Sequence, residues 1–153
     1  MAVSTLPPEL VADVNLIFSY LISGRKALIF EKIRIFVPDF ALTELQKYEA
    51  VIKQKTRQTP YELKEFALAL FTHITVVPTL LISSQSFYQA FMLCKGVDPN
   101  DTPYVALALE LQLPLLTKDK QLSNGLQTNG FTNVITLEEL LSLNDNLPDN
   151  PTV

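Results

Sequence analysis

Asp98-Pro-Asn-Asp101-Thr-Pro103, then Tyr-Val-Ala-Leu-Ala-Leu-Glu-Leu111, then Pro114-Leu-Leu-Thr-Lys-Asp119 is the stretch whose reading decides the fold. It reads as a turn, a helix, a short buried strand and an acid where the strand ends. Asp-Pro-Asn-Asp has turn chemistry, and Pro103 suits a first helical turn with Thr102 as its cap. Val105, Ala106, Ala108, Leu109 and Leu111 give that helix a broad apolar face at spacings of three and four. Leu113 to Leu116 is too short for a second helix and follows a break, so it reads as a strand. Asp101 then opens a helix and Asp119 closes a strand. In an open parallel α/β sheet both places fall at the carboxyl-end crevice, where sites form. Two acids aimed at one crevice point to a metal.

Outward from that stretch the same alternation repeats. Leu10 to Asp13 reads as a buried strand, followed at once by a helix through Leu16, Ile17, Tyr20 and Leu21 that Ser23-Gly24 breaks. Residues 25–32 read as a short helix and Ile33–Val37 as a β-branched, aromatic strand. Pro38 and Asp39 start a long helix through Glu44, Leu45, Tyr48 and Ile52. Lys53 to Arg57 reads as a basic connection. Thr59-Pro-Tyr-Glu62 fits a capping box opening a helix to about Phe71. Ile74–Val77 is a third strand and 82–94 a helix with Phe87, Ala90, Phe91 and Cys94 on one side. Asn129-Gly130 is a turn, 133–136 a last strand and 137–143 a short helix. Strands alternating with helices predict an α/β fold: a three-layer α/β/α sandwich around a central parallel sheet of five strands. The expected organisation is one domain over 1–143 and a polar, flexible tail over 144–153.

The composition sets limits. The chain has 153 residues, 48% hydrophobic and 18% charged, which fits one globule with a real core rather than disorder. The longest apolar runs fall short of a membrane span, so no membrane partner is expected. Cys94 is the single cysteine and lies among apolar residues, which predicts a buried structural thiol. With no export signal at the N-terminus, a reducing, cytoplasmic compartment is expected. A net charge of −4 argues against broad, non-specific binding of a polyanion. A polyanionic substrate would need a local basic patch or metal ions over the acids. Only 4 glycines are present, none in a phosphate-binding loop, and His73 is the single histidine.

Three acids hold equivalent places: Asp13 at the end of the first strand, Asp101 at a helix start and Asp119 past the fourth strand. Glu44, about two turns into its helix, can point back over the same edge. Read singly, Asp13 and Asp101 are as well explained as helix caps, Glu44 as a solvated residue and Asp119 as a turn residue. Read jointly, four carboxylates would repel unless a divalent cation compensated them. Mg²⁺ or Mn²⁺ takes oxygen ligands, and a pair of such ions can activate water and clamp a phosphodiester.

At these residues the chain resembles a known family. Val11-Ala-Asp13-Val-Asn15, Val37-Pro-Asp-Phe-Ala-Leu-Thr-Glu44-Leu, Asp98-Pro-Asn-Asp101-Thr-Pro-Tyr-Val-Ala-Leu-Ala-Leu and Leu116-Thr117-Lys-Asp119 look like the four acidic motifs of PIN domains, over roughly residues 10 to 142. The resemblance implies a five-stranded parallel sheet and a metal-dependent ribonuclease acting on single-stranded RNA, of the kind found as the VapC toxin of toxin–antitoxin pairs. It implies that Asp13, Glu44, Asp101 and Asp119 are the catalytic acids holding Mg²⁺ or Mn²⁺, with Asn15 and Thr117 as supporting polar groups; Asp98 joins them as a turn residue beside the site. An antitoxin protein and a second copy of the chain are the partners it implies besides RNA. Lys53, Lys55, Arg57, Lys118 and Lys120 are candidate RNA-backbone contacts, with a solvated surface as the plain alternative. Phe87, Tyr88 and Phe91 read as core or a dimer face. Two positions depart from the family pattern: Val14 stands where Thr or Ser is common, and Asn100 where relatives often carry Asp. They motivate the alternative of a catalytically weak or inactive PIN-like module that binds RNA or protein. A phosphoacceptor receiver domain fits worse, since Val14 and Asn15 follow Asp13 where a second acid is needed, and Leu137 follows the last strand where a lysine is needed.

Overall fold

A computed structural model describes residues 5–25 and 28–145. Five strands, β1 (Glu9–Ala12), β2 (Arg34–Pro38), β3 (Ile74–Val77), β4 (Leu115–Thr117) and β5 (Val134–Thr136), form one sheet in the order β3-β2-β1-β4-β5. Every pairing is parallel. Leu10, Val11, Leu115 and Leu116 are fully buried, the mark of central strands covered on both faces. The predicted α/β sandwich with a five-stranded parallel sheet is therefore the fold.

The helices explain the order. After β1 come α1 (Val14–Ser23) and α2 (Leu28–Lys32); after β2 come α3 (Phe40–Lys47), α4 (Glu49–Lys55) and α5 (Pro60–Phe71). After β3 come α6 (Ser84–Cys94) and α7 (Thr102–Leu111), then α8 (Lys120–Thr128) between β4 and β5, and α9 (Leu137–Asp145) last. The chain steps outward from β1 to β3, then returns to pair β4 on the other side of β1. That reversal puts the topological switch point between β1 and β4. α7 lies across β1, β2 and β4 and is covered by α6. Being enclosed on both sides, it buries Tyr104 to Ala108 without interruption.

Four readings need correction. The helix expected from Asp39 through Ile52 is two helices, broken at Tyr48, whose φ of −103° and ψ of 11° leave the helical region. The second of them continues through Lys53 and Lys55, so these are helical rather than part of a connection. α8 was absent from the sequence reading, because Ser123-Asn124-Gly125 is a weak helix-forming run. Its signals were Leu122 and Leu126, both buried at a spacing of four, and Asp119, whose side chain caps it. Gly125 is needed there: a Cβ would come within 2.7 Å of the Val97 side chain. Finally, Phe91 is exposed, and the buried stripe of α6 is Ser86, Ala90 and Cys94. Tyr88 is exposed as well and Phe87 half-buried.

Cys94 is buried as expected, and burial pushes its thiol up to about 11. No helix among the described residues is long and apolar enough to cross a membrane. The tail expected over 144–153 lies outside the described residues from 146 onward, while 144 and 145 close α9.

Gly24 closes α1 in the left-handed region at φ 64°. A Cβ there would stand 2.5 Å from Cδ of Gln58, whose amide nitrogen donates to the Leu21 carbonyl at 2.8 Å. Gly24→Ala thus forces a strained backbone and displaces that bond. Urea unfolding should show a loss of about 1–2 kcal/mol. Gly96→Ala, with nothing within 4 Å of the added Cβ, should stay within about 0.5 kcal/mol of the parent.

Candidate active site

β1 and β4 run side by side, with Ala12 opposite Leu116, so the next residues, Asp13 and Thr117, meet at the carboxyl edge. Thr117 Oγ1 donates to Asp13 Oδ2 at 2.7 Å, and both side chains are buried. The other oxygen, Asp13 Oδ1, accepts the Asn15 N–H at 2.7 Å and so caps α1. A carboxylate that is 1% exposed needs such donors. Burial nevertheless raises its pKa, opposed by Thr117 and the Asn15 and Leu16 N–H groups, and the charge of Asp119 adds to the rise.

Thr117 also orders its neighbour. Its Oγ1 accepts the Asp119 N–H at 3.0 Å. Asp119 in turn caps α8, one oxygen, Oδ1, accepting from Gln121 N at 2.9 Å and Leu122 N at 3.1 Å. No hydrogen bond among the described residues occupies its Oδ2, and the residue is exposed. Capping and presentation to the crevice are thus compatible in both Asp13 and Asp119.

Asp101 is a different case. It ends a short 3₁₀ turn over Pro99–Asp101, and its side chain caps nothing. The turn is capped by Asp98, which accepts from Asn100 N at 3.0 Å. Thr102, expected as the cap of α7, lies within the helix and donates its hydroxyl to the Pro99 carbonyl at 2.6 Å. The half-buried Asp101 carboxylate has neither a hydrogen bond nor an ion pair among the described residues. Burial first, then the charges of Asp13, Asp98, Asp119 and Glu44, raise its pKa to about 7. The same four acids singled out in the sequence, with Asp98, therefore share one electrostatic neighbourhood.

Glu44 enters by a route the sequence did not reveal. From the second turn of α3 its carboxylate accepts the Tyr104 hydroxyl. Tyr104 is 1% exposed, one position beyond Pro103 in the first turn of α7. Burial, the bond to Glu44 and the charges of Asp13 and Asp101 push its pKa up. A tyrosine leading the apolar run Val105–Leu109 was the available signal, since a buried hydroxyl needs a partner.

The supporting residues divide. Thr117 is a full member of the site. Asn15 contributes its backbone N–H, and its side chain is exposed. Among the described residues no salt bridge joins a basic side chain to Asp13, Glu44, Asp101 or Asp119. Lys53 pairs with Glu49 at 2.9 Å and Lys120 with Glu138 at 2.8 Å. Lys118 Nζ donates to Ser19 Oγ at 3.0 Å. Lys55 and Arg57 are exposed on and just after α4.

The donors are all hard carboxylate oxygens, the chemistry that Mg²⁺ and Mn²⁺ take. Among the described residues, no three His, Cys, Asp or Glu side chains gather closely enough to hold an ion between them. The acids are within electrostatic reach of one another rather than in a ready-made cage. Asp13, Asp101, Asp119 and Glu44 are the residues that could lend oxygens to a largely hydrated cation, although no three of them enclose it.

A carboxyl whose folded-state pKa is raised binds more protons folded than unfolded, so stability falls as pH rises through that window. For Asp101 the window runs from 3.8 to about 7. In EDTA the protein should lose resistance to urea between about pH 4 and about pH 7. Asp101→Asn should remove most of that slope, leaving the smaller contribution of Asp13, and a slope unchanged in the variant would contradict the crowding.

No curated protein matches the chain significantly. A family model described as PIN domain matches residues 11–141. Proteins of this family are generally nucleases that work with divalent metal ions. The match runs from β1 through β5 and takes in every acid of the crevice, and the chain belongs to the PIN domain family.

Proposed function

We propose that the chain is an endoribonuclease that hydrolyses phosphodiester bonds of single-stranded RNA with Mg²⁺ or Mn²⁺. The observation that carries this reading is Asp101. It is half-buried, unpaired and crowded by Asp13, Asp98, Asp119 and Glu44, so its ionised form needs a cation that no side chain supplies to it. In this reading Asp13, Asp101, Asp119 and Glu44 hold the ion. When bound, it supplies Lewis-acid charge and lowers the pKa of a water to the range of a nucleophile.

The chain's own groups have separate tasks. Thr117 and the Asn15 N–H fix both oxygens of Asp13, so its orientation is set before any ligand arrives. Asp119 is held by the α8 amides through one oxygen, which leaves the other to face the crevice. Tyr104 steadies Glu44 over the same edge. Asp101 stands without such support and is the acid most free to follow the ion. The basic side chains assist less than their number suggests, because Lys53 and Lys120 are committed to Glu49 and Glu138. A role as the toxin of a toxin–antitoxin pair, an antitoxin or a second copy as partner, and a cytoplasmic site of action are supported by the motif resemblance alone.

A second reading has its own observation. Because no three acids among the described residues form a closed cage, the chain is alternatively a PIN-like module that binds RNA or protein with a weak metal site.

Cleavage of a mixed-sequence single-stranded RNA, in Mn²⁺, in Mg²⁺ and in EDTA, separates the two. The nuclease reading expects cleavage that needs metal and falls about 100-fold or more in Asp101→Asn. Metal-independent cleavage, or cleavage unchanged in that variant, would overturn it. No cleavage, with no binding of millimolar Mn²⁺ by calorimetry, would favour the binding module.

A further inference from the structure

Phe40 is the first residue of α3, directly past the carboxyl end of β2 and therefore on the edge where the acids stand. The residue is 38% exposed. Its ring leans on Tyr104, centroid to centroid 6.4 Å and tilted by 58°. Tyr104 is the residue that holds Glu44 and feels the charges of Asp13 and Asp101. Phe40 is thus one ring removed from the acid cluster. Of the exposed aromatic side chains described, it is the one in ring contact with a residue of that cluster.

The electrostatics give this ring a task. A crevice crowded with carboxylates repels a phosphate backbone, and no salt bridge among the described residues brings a basic side chain to Asp13 or Asp101. Beside metal ions over the acids, attraction from an uncharged part of the nucleotide would help to hold a polyanion there. An aromatic face offers it, because every base has a π-face and stacking does not depend on sequence. The ring is also well prepared for the part. Ala41, next to it, is fully buried, and Asp39, before it, accepts the Thr79 hydroxyl, so the backbone on both sides is fixed. A ring already in contact with Tyr104 loses little freedom on binding.

We propose that Phe40 is a stacking platform for an unpaired base of single-stranded RNA, next to the phosphate that faces the acids. The proposal rests on the nuclease reading and adds to it a residue that selects unpaired substrate. Bases in a duplex are already stacked and have no free face to give Phe40.

The chain contains no tryptophan, so Phe40→Trp installs a single fluorophore at the platform. Its emission should be quenched by a single-stranded RNA oligomer and not by an abasic oligomer of the same length or by a duplex. In cleavage, Phe40→Ala should raise KM about tenfold with kcat within about threefold. Phe40→Leu, which keeps an apolar contact with Tyr104, should behave as Phe40→Ala, and Phe40→Tyr should restore the parent KM. Equal quenching by abasic and normal oligomers, no quenching by RNA that binds, or a Phe40→Leu variant with the parent KM would overturn the proposal. Because quenching needs binding alone, an absence of cleavage by the parent protein would count against the nuclease reading and leave the quenching result to decide on Phe40.

Discussion

The hydroxyl of Thr117 on the carboxylate of Asp13 is the contact on which the crevice depends. It ties the ends of the two central strands across the switch point, at a depth where neither group meets water. An Asp this buried is costly unless its oxygens are engaged. Thr117 covers one oxygen, the start of α1 covers the other, and the same hydroxyl then receives the Asp119 N–H. One small side chain thereby fixes two acids of the site. The sheet order makes this possible, since β1 and β4 are far apart in the chain and adjacent only because the strand order reverses there.

Much of this was legible in the sequence, and the reasons are physical. Parallel strands covered on both faces leave short apolar runs ended by polar residues, so Leu10–Asp13 and Leu115–Asp119 declared both their strands and their acids. The capping box of Thr59 and Glu62 is formed as read, with reciprocal bonds of 3.1 and 3.0 Å. What the sequence concealed was whatever depends on a distant partner. Tyr104 and Glu44 lie 60 positions apart, and only the packing of α7 across β1 and β2 brings them together. α8 was concealed because its glycine is set by Val97 from another part of the chain, against local propensity. The basic residues showed the opposite failure: their charges were visible, while their commitments to Glu49, Glu138 and Ser19 were not.

The acids themselves sort by what holds them. Asp13 and Asp119 each satisfy a helix N-terminus, so their presence stabilises local structure whether or not a cation is there. The cap reading of Asp13 agrees with its hydrogen bonds, whereas Asp119, read as a turn residue, is a cap and Asp101, read as a cap, is not. Asp101 caps nothing, and its ionised form is opposed by burial and four like charges. Such a group is a net cost to the folded chain at neutral pH, and groups perturbed in this way cluster at functional sites.

The two departures from the family pattern weigh less once the contacts are known. Val14 is 7% exposed and packs in the core. Both oxygens of Asp13 already have donors, from Thr117 and Asn15, so a missing hydroxyl at Val14 leaves no orphaned charge. Asn100 is exposed, and its backbone N–H satisfies Asp98. An acid in its place would add another negative charge beside Asp101, which already feels four. The substitution therefore moderates the repulsion in the turn while leaving Asp13, Asp101 and Asp119 in position.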